Sequence, residues 1–181
     1  MERYIFDDFK KEKALNAVLY ITARLIRNDF HKIFKILYFA DRNHISAYGR
    51  SITGDTYIAM NDGPVPSNLY DIFKSVRGDS YFKDNEKFSD LFVVTNWDLI
   101  HPIKEPNLRF LSKTDIDFLD NSLKEYGDLS WDEIREKSHD YAWRNTVKNT
   151  PISINNLIIE TGNDDSYIDY IKQEMILSKS F

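Results

Sequence analysis

The sequence predicts a mainly α fold with a small antiparallel β-sheet, a single compact α+β domain built on one central buried helix. Three observations carry that expectation. The run FHKIFKILYFADRNHISAY, read as a helix over 30–46, is apolar around well over half of its circumference, through Phe30, Ile33, Phe34, Ile36, Leu37, Tyr38, Ala40 and Ile45. A surface helix would show one stripe, so this one packs on more than one side. Ser112 and Asp115, and again Ser130 and Glu133, stand three apart with leucine before the cap and isoleucine at the fourth helical position. That is the capping box with its hydrophobic staple, the first in an aspartate variant. Finally, residues 91–95 and 99–103 are rich in strand-favouring types and flank Asn96-Trp97-Asp98, as the arms of a hairpin do.

Taken in order, residues 7–27 form a helix introduced by Asp7 and Asp8, acids suited to a positive helix start. Leu15, Leu19, Ala23 and Ile26 make one side of it, and Val18, Ile21 and Leu25 another. The short RNDF link to the central helix favours antiparallel neighbours. Asp41 and His44 interrupt the apolar arc of the central helix and are neighbours on its surface, three residues apart. Lys35 and Arg42, with His31 close by, share its polar edge. They read as a solvated stripe, or as cations for the acidic loop at Asp84 and Glu86 or for a partner.

Gly49 and Gly54 bracket a turn, and 56–60 reads as a strand. Asp62-Gly63 signals the next turn, which Pro64 and Pro66 stiffen into a rigid corner that could display Val65 to a partner. Ser67 caps a helix with Leu69, Ile72, Phe73 and Val76 on one face, ended by Gly78. Residues 79–90 are polar and patternless. The 91–103 hairpin, joined by strand 56–60, gives the smallest sheet expected to persist, three strands covered by helices. Helices over 113–126, ended by Gly127, and 131–145 follow from the two caps. In the second, Ile134, Ser138, Tyr141 and Asn145 should face the core. His139 and Trp143 fall on the opposite side, amid Asp132, Arg135 and Glu136. Trp143 is then either covered, by the tail after Pro151, or exposed as a partner anchor. Residues 1–150 form the domain and 151–181 a C-terminal helical extension packed on it, with room for partner or self-association contacts.

Composition narrows the function. With 181 residues the chain can bury roughly 70% of its unfolded surface and needs no covalent staple. It has no cysteine, which removes disulfides and thiol chemistry and suits a reducing cytosol. No apolar run reaches membrane-spanning length and the charged N-terminus lacks a signal-peptide core, so a cytoplasmic location is expected. A net charge of −5 disfavours direct nucleic-acid binding. No phosphate loop, dinucleotide fingerprint, HExxH or nucleophile elbow is present. The histidines at 31, 44, 101 and 139 show no ligand spacing, so no metal or cofactor is expected. Asp41 and His44 read first as buried structural polar groups, with an acid–base or metal pair as the sharper alternative. Gly63, Pro64 and Pro66 likewise read as structural.

The run KILYFADRNHISAYGRSITGDTYIAMNDGPVPSNLYDIFK, followed by SHDYAW near residue 140, resembles the signature of the SocA-like antitoxin family, the Panacea domain. Several separated blocks agree in the right order, over roughly residues 10–145. The resemblance implies an antitoxin that binds and neutralises a cognate toxin, with a protease adaptor role and self-association left open. The residues singled out for partner contact are Lys35, Arg42, Val65, His139 and Trp143. Two other readings stand beside this one. One is a metal-dependent or acid–base enzyme using Asp41, His44 and His139; the other is a phage- or mobile-element-associated interaction protein without a toxin.

Overall fold

The computed structural model describes residues 9–79, 81–84 and 86–178, with side chains through Gln173. Asp7 and Asp8 lie outside the described residues. The first helix, α1 (Lys11–Thr22), is shorter than its periodicity suggested. It buries Leu15, Val18, Leu19 and Ile21, but the chain leaves the helix at Ala23 and Ile26 stands fully exposed in the link.

The central helix α2 (Phe30–Tyr48) is capped by Asp29, whose side chain accepts from the Lys32 amide, and is closed by Gly49 at φ 66°. It is buried around its whole girth. Even Phe39, opposite the main apolar arc, is covered, by a ring stack on Tyr126 at 3.9 Å. Helix α4 (Lys113–Tyr126) supports that side, and Ser122 Oγ donates to the Ile36 carbonyl at 2.7 Å.

The sheet departs from expectation. The GPVP segment, read as a turn, is itself a strand. Strand β1 (Tyr57–Met60) pairs antiparallel with β2 (Gly63–Pro66), from Tyr57↔Pro66 to Met60↔Gly63. The predicted hairpin, β3 (Phe92–Thr95) with β4 (Leu99–Pro102), forms a separate two-stranded sheet, so no three-stranded sheet forms among the described residues. Each hairpin is completed by irregular chain instead. Residues 149–152 run along β1, with Asn149 donating to Ala59, Ala59 to Thr150 and Ile152 to Tyr57. Residues 28–30 do the same for β4, through Ile100 to Asn28 and Phe30 to Asp98. Prolines 64 and 66 have no N–H to extend a ladder, which confines β2 to an edge.

Helix α3 (Ser67–Arg77) is not capped by Ser67, its first residue. The Asp55 carboxylate takes that role from across the hairpin, accepting from the Asn68 and Leu69 amides at 3.0 and 2.9 Å. Gly78, at φ 88°, ends the helix as expected. Both capping boxes are present, at Ser112/Asp115 for α4 and Ser130/Glu133 for α5 (Trp131–Ser138). The helix predicted over 131–145 is broken, however. The chain turns at His139, and Asp140 caps a separate short helix, α6 (Tyr141–Arg144), by accepting from the Trp143 amide at 3.0 Å. Ile134 and Ser138 face the core, whereas Tyr141 and Asn145 are turned out to solvent by the break. Helices α7 (Ile154–Glu160) and α8 (Asp165–Ser178) follow, and Ile154, Leu157, Ile158, Ile168 and Ile171 join the same hydrophobic core.

Candidate functional site

The β1–β2 turn is where four of the singled-out residues, Lys35, Val65, His139 and Trp143, converge. Three of its carbonyls are each met by a side chain from a helix. Trp143 Nε1 donates to Met60 O at 2.9 Å, His31 Nε2 to Asp62 O at 3.1 Å, and Lys35 Nζ to Pro64 O at 2.9 Å. Arg135 Nε adds a bond to the Asp62 carboxylate at 3.0 Å. A two-residue turn between short strands cannot satisfy its own outward carbonyls. Helices α2 and α6 do it, and with Arg135 of α5 they fix the turn's position.

Lys35 is therefore not on a solvated edge. It is 1% exposed, and burial, with the Arg135 charge adding to it against Asp62, pulls its amine down to about 7. The solvated-edge reading is corrected: a helix packed all round has no solvated edge at this turn, and the ammonium's partner is the Pro64 carbonyl. Gly63 explains how close the approach is. It sits at φ 99°, and a Cβ there would overlap Ser138 Oγ and lie 2.8 Å from Lys35 Cε. Pro64 and Pro66 are buried beside it, and Val65 is half-buried.

Two imidazole–indole stacks flank the turn. His31 lies on Trp131 with centroids 4.4 Å apart, and His139 lies on Trp143 at 3.8 Å and 6°. Burial, then the Lys35 charge, lowers His31 to about 4, and burial followed by the Arg135 charge lowers His139. Both rings are neutral near pH 7. His31 Nδ1 and His139 Nε2 are buried without a hydrogen-bond partner. Trp143 is half-buried, held by His139 and the hairpin.

Arg42 also turns inward. Its Nη1 reaches Asp140 at 2.8 Å and Glu160 at 3.7 Å, and the side chain is 11% exposed. Neither it nor Lys35 pairs with the described residues of the 79–90 loop. Glu86 is bound by Lys11, and Asp84 accepts from the Phe88 and Ser89 amides. Arg42 is thus not part of a solvated stripe. The signal was Asp140, whose capping position after a helix break places a carboxylate opposite the arginine.

Asp41 and His44, though neighbours on α2, serve different partners. The Asp41 carboxylate accepts from the Ile52 and Thr53 amides at 2.7 and 3.1 Å, from Thr53 Oγ1 at 2.5 Å and from the Tyr57 hydroxyl at 2.7 Å. Burial raises its pKa against the pull of those four donors. His44 Nδ1 donates to Arg50 O at 2.7 Å, and Nε2 faces Thr114 Oγ1 at 3.1 Å and Asp115 at 3.4 Å. Burial lowers its basicity. Among the described residues no hydrogen bond or ion pair joins Asp41, His44 and His139, and no cluster of three or more potential metal ligands occurs. No helix among them is long and apolar enough to cross a membrane.

Val65, His139 and Trp143 remain at or near the surface of this region. Sequence reasoning missed its more exposed members, Met60, Trp131 and Tyr141. Trp131 occupies the first position after the Ser130 cap.

Comparison with known families is consistent with this layout. A family model described as "Antitoxin SocA-like, Panacea domain" matches residues 33–144. The match runs from the first turn of α2 to the last residue of α6, and so spans both hairpins and the clamped turn. No curated protein and no solved structure matches the chain. By that match, which covers well over half of its length, the chain belongs to the SocA-like antitoxin family, the Panacea domain.

Proposed function

We propose that this protein is an antitoxin that neutralises a cognate toxin by binding it directly in the cytoplasm. The family match over residues 33–144 carries the reading. Neutralisation is by occlusion: an interface of about 1,200–2,000 Å² covers a toxin's active site or holds it in an inactive shape. The net charge of −5 favours encounter with a basic partner. Val65, His139 and Trp143 belong to the contact surface, on a turn that three helices hold in place. A preorganised surface loses less freedom on binding than a loose one.

The test is co-expression with the short reading frame adjacent to this protein's gene. Expression of that frame alone should arrest growth, and co-expression should restore it, with the two proteins eluting together on size exclusion. Growth arrest that persists with both proteins present and soluble would overturn the proposal.

A further inference from the structure

The chain has three tryptophans, and none of them is in the hydrophobic core. All three are tied to one end of the molecule, around the start of α2. Trp131 stacks on His31 in the first turn of that helix. Trp143 bonds to Met60 of the hairpin whose Asp62 carbonyl receives His31. Trp97 lies at the tip of the β3–β4 hairpin, whose Asp98 carbonyl receives the Phe30 amide at 2.8 Å.

Trp97 is the unusual member. Its side chain is 78% exposed, and its backbone sits at φ 71°, next to Asn96 at φ 48°. Left-handed backbone is costly for a bulky residue and free for glycine, so the turn itself does not call for a tryptophan there. The tip is nevertheless held. Arg77 Nη1 donates to the Trp97 carbonyl at 2.7 Å while its fork grips Asp79 at 2.8 and 2.6 Å. The Arg77 guanidinium also lies 5.8 Å from the indole and 5.6 Å from Phe30. Ile26, fully exposed, stands in the link whose Asn28 bonds to Ile100 of the same hairpin.

We infer that this end of the molecule is the primary docking surface for the toxin, with the Trp97 indole entering an apolar pocket of that protein and Trp131 packing beside it. The inference rests on the antitoxin reading above. Trp97, Trp131 and Ile26 together offer on the order of 400 Å² of apolar area. That suits the centre of a standard interface, about 800 Å² on each side, and falls short of what an obligate homodimer buries. Because Asp79 and Asp62 already neutralise Arg77 and Arg135, the surface asks for an apolar pocket and not for opposite charge. Aromatic anchors held rigid before contact are the usual carriers of interface energy.

The experiment is titration of the protein from the adjacent reading frame, catalytically disabled if needed, into wild type, Trp97→Gly and Trp131→Ala. Glycine relieves the left-handed backbone, so Trp97→Gly should melt at or above the wild-type midpoint while binding at least tenfold more weakly. Trp131→Ala should weaken binding at least fivefold with its circular dichroism unchanged. Wild-type binding that both variants match within twofold would overturn this inference and leave the antitoxin reading standing. A wild type that does not bind at all would overturn both. A wild-type dimer that Trp97→Gly dissociates, with toxin binding unchanged, would assign the end to self-association and overturn the inference equally.

Discussion

Arg42 and Asp140 meet at 2.8 Å, across almost the whole length of the family match, and lock the central helix to the break between α5 and α6. The Tyr38 hydroxyl donates to the same carboxylate oxygen at 2.8 Å, and the other oxygen caps α6. One buried carboxylate thus serves an ion pair, a phenol and a helix start. Asp140→Ala leaves Arg42 buried with only the more distant Glu160 and removes the cap, and should cost about 3–5 kcal/mol. Tyr38→Phe should cost about 1–2 kcal/mol. Urea unfolding of the two variants checks both, and a loss under 1 kcal/mol for Asp140→Ala would show that the pair does not hold the break.

Gly63 has no space for a side chain. Gly63→Ala must displace Ser138 or Lys35 and hold alanine at φ 99°, and should lose about 2–4 kcal/mol. Gly78→Ala is the control. It has positive φ but nothing within 4 Å of the added carbon, so about 1 kcal/mol is expected. Equal losses in the two would mean that backbone conformation alone, not the clamp, sets the requirement.

Lys35 makes stability depend on pH. Its amine is lowered from 10.5 to about 7 in the folded protein. Between those values the unfolded chain binds more protons than the native one, so its contribution to stability rises with pH across that window and is flat below it. The slope approaches about 1.4 kcal/mol per pH unit for one proton. Lys35→Met also loses the bond to Pro64, a constant offset. Denaturation at pH 7, 8 and 9 should therefore show a rise in wild type, relative to Lys35→Met, that widens with pH. Parallel curves would mean that the lysine is not desolvated.

The two capping boxes look alike in sequence but should not be worth the same. Ser130→Ala removes an exposed cap and should cost about 1 kcal/mol. Asp115, the third residue of the other box, is fully buried and also receives Lys13 at 2.6 Å and Arg50 at 3.3 Å. Asp115→Ala strips all of these at once and should cost about 3 kcal/mol or more. Burial pulls the Asp115 carboxyl upward, and the Lys13 and Ser112 bonds outweigh it and hold the group below 3.8. A carboxyl lowered on folding stabilises above its unfolded value and loses that contribution as pH falls through the folded one. The gap between wild type and Asp115→Ala should accordingly narrow under acid.

Local signals were read reliably where the answer is local. Ser112, Ser130, Gly49 and Gly78 act at the helix ends their chemistry dictates. The apolar girth of α2 foretold a central helix packed on more than one side. The family blocks from residue 33 onward pointed to the antitoxin family. Failures came where a residue's partner is far away in the chain. Ser67 yielded its cap to Asp55, Lys35 turned to Pro64, and Arg42 turned to Asp140. Periodicity assigns a face but does not say what fills the space opposite, and a cation on a buried helix turns inward when a carbonyl or carboxylate waits there.

Sequence alone thus determined the two capping boxes, the central buried element and the family, because each is written in neighbouring residues or in an ordered run of them. Tertiary structure alone decided that GPVP is a strand, that the hairpins stay apart, and that the 131–145 helix breaks at His139. It also decided that the three tryptophans gather around the start of α2. The reason is that these outcomes depend on which distant groups satisfy each exposed amide, carbonyl and charge, and that competition is settled only when the whole chain has packed.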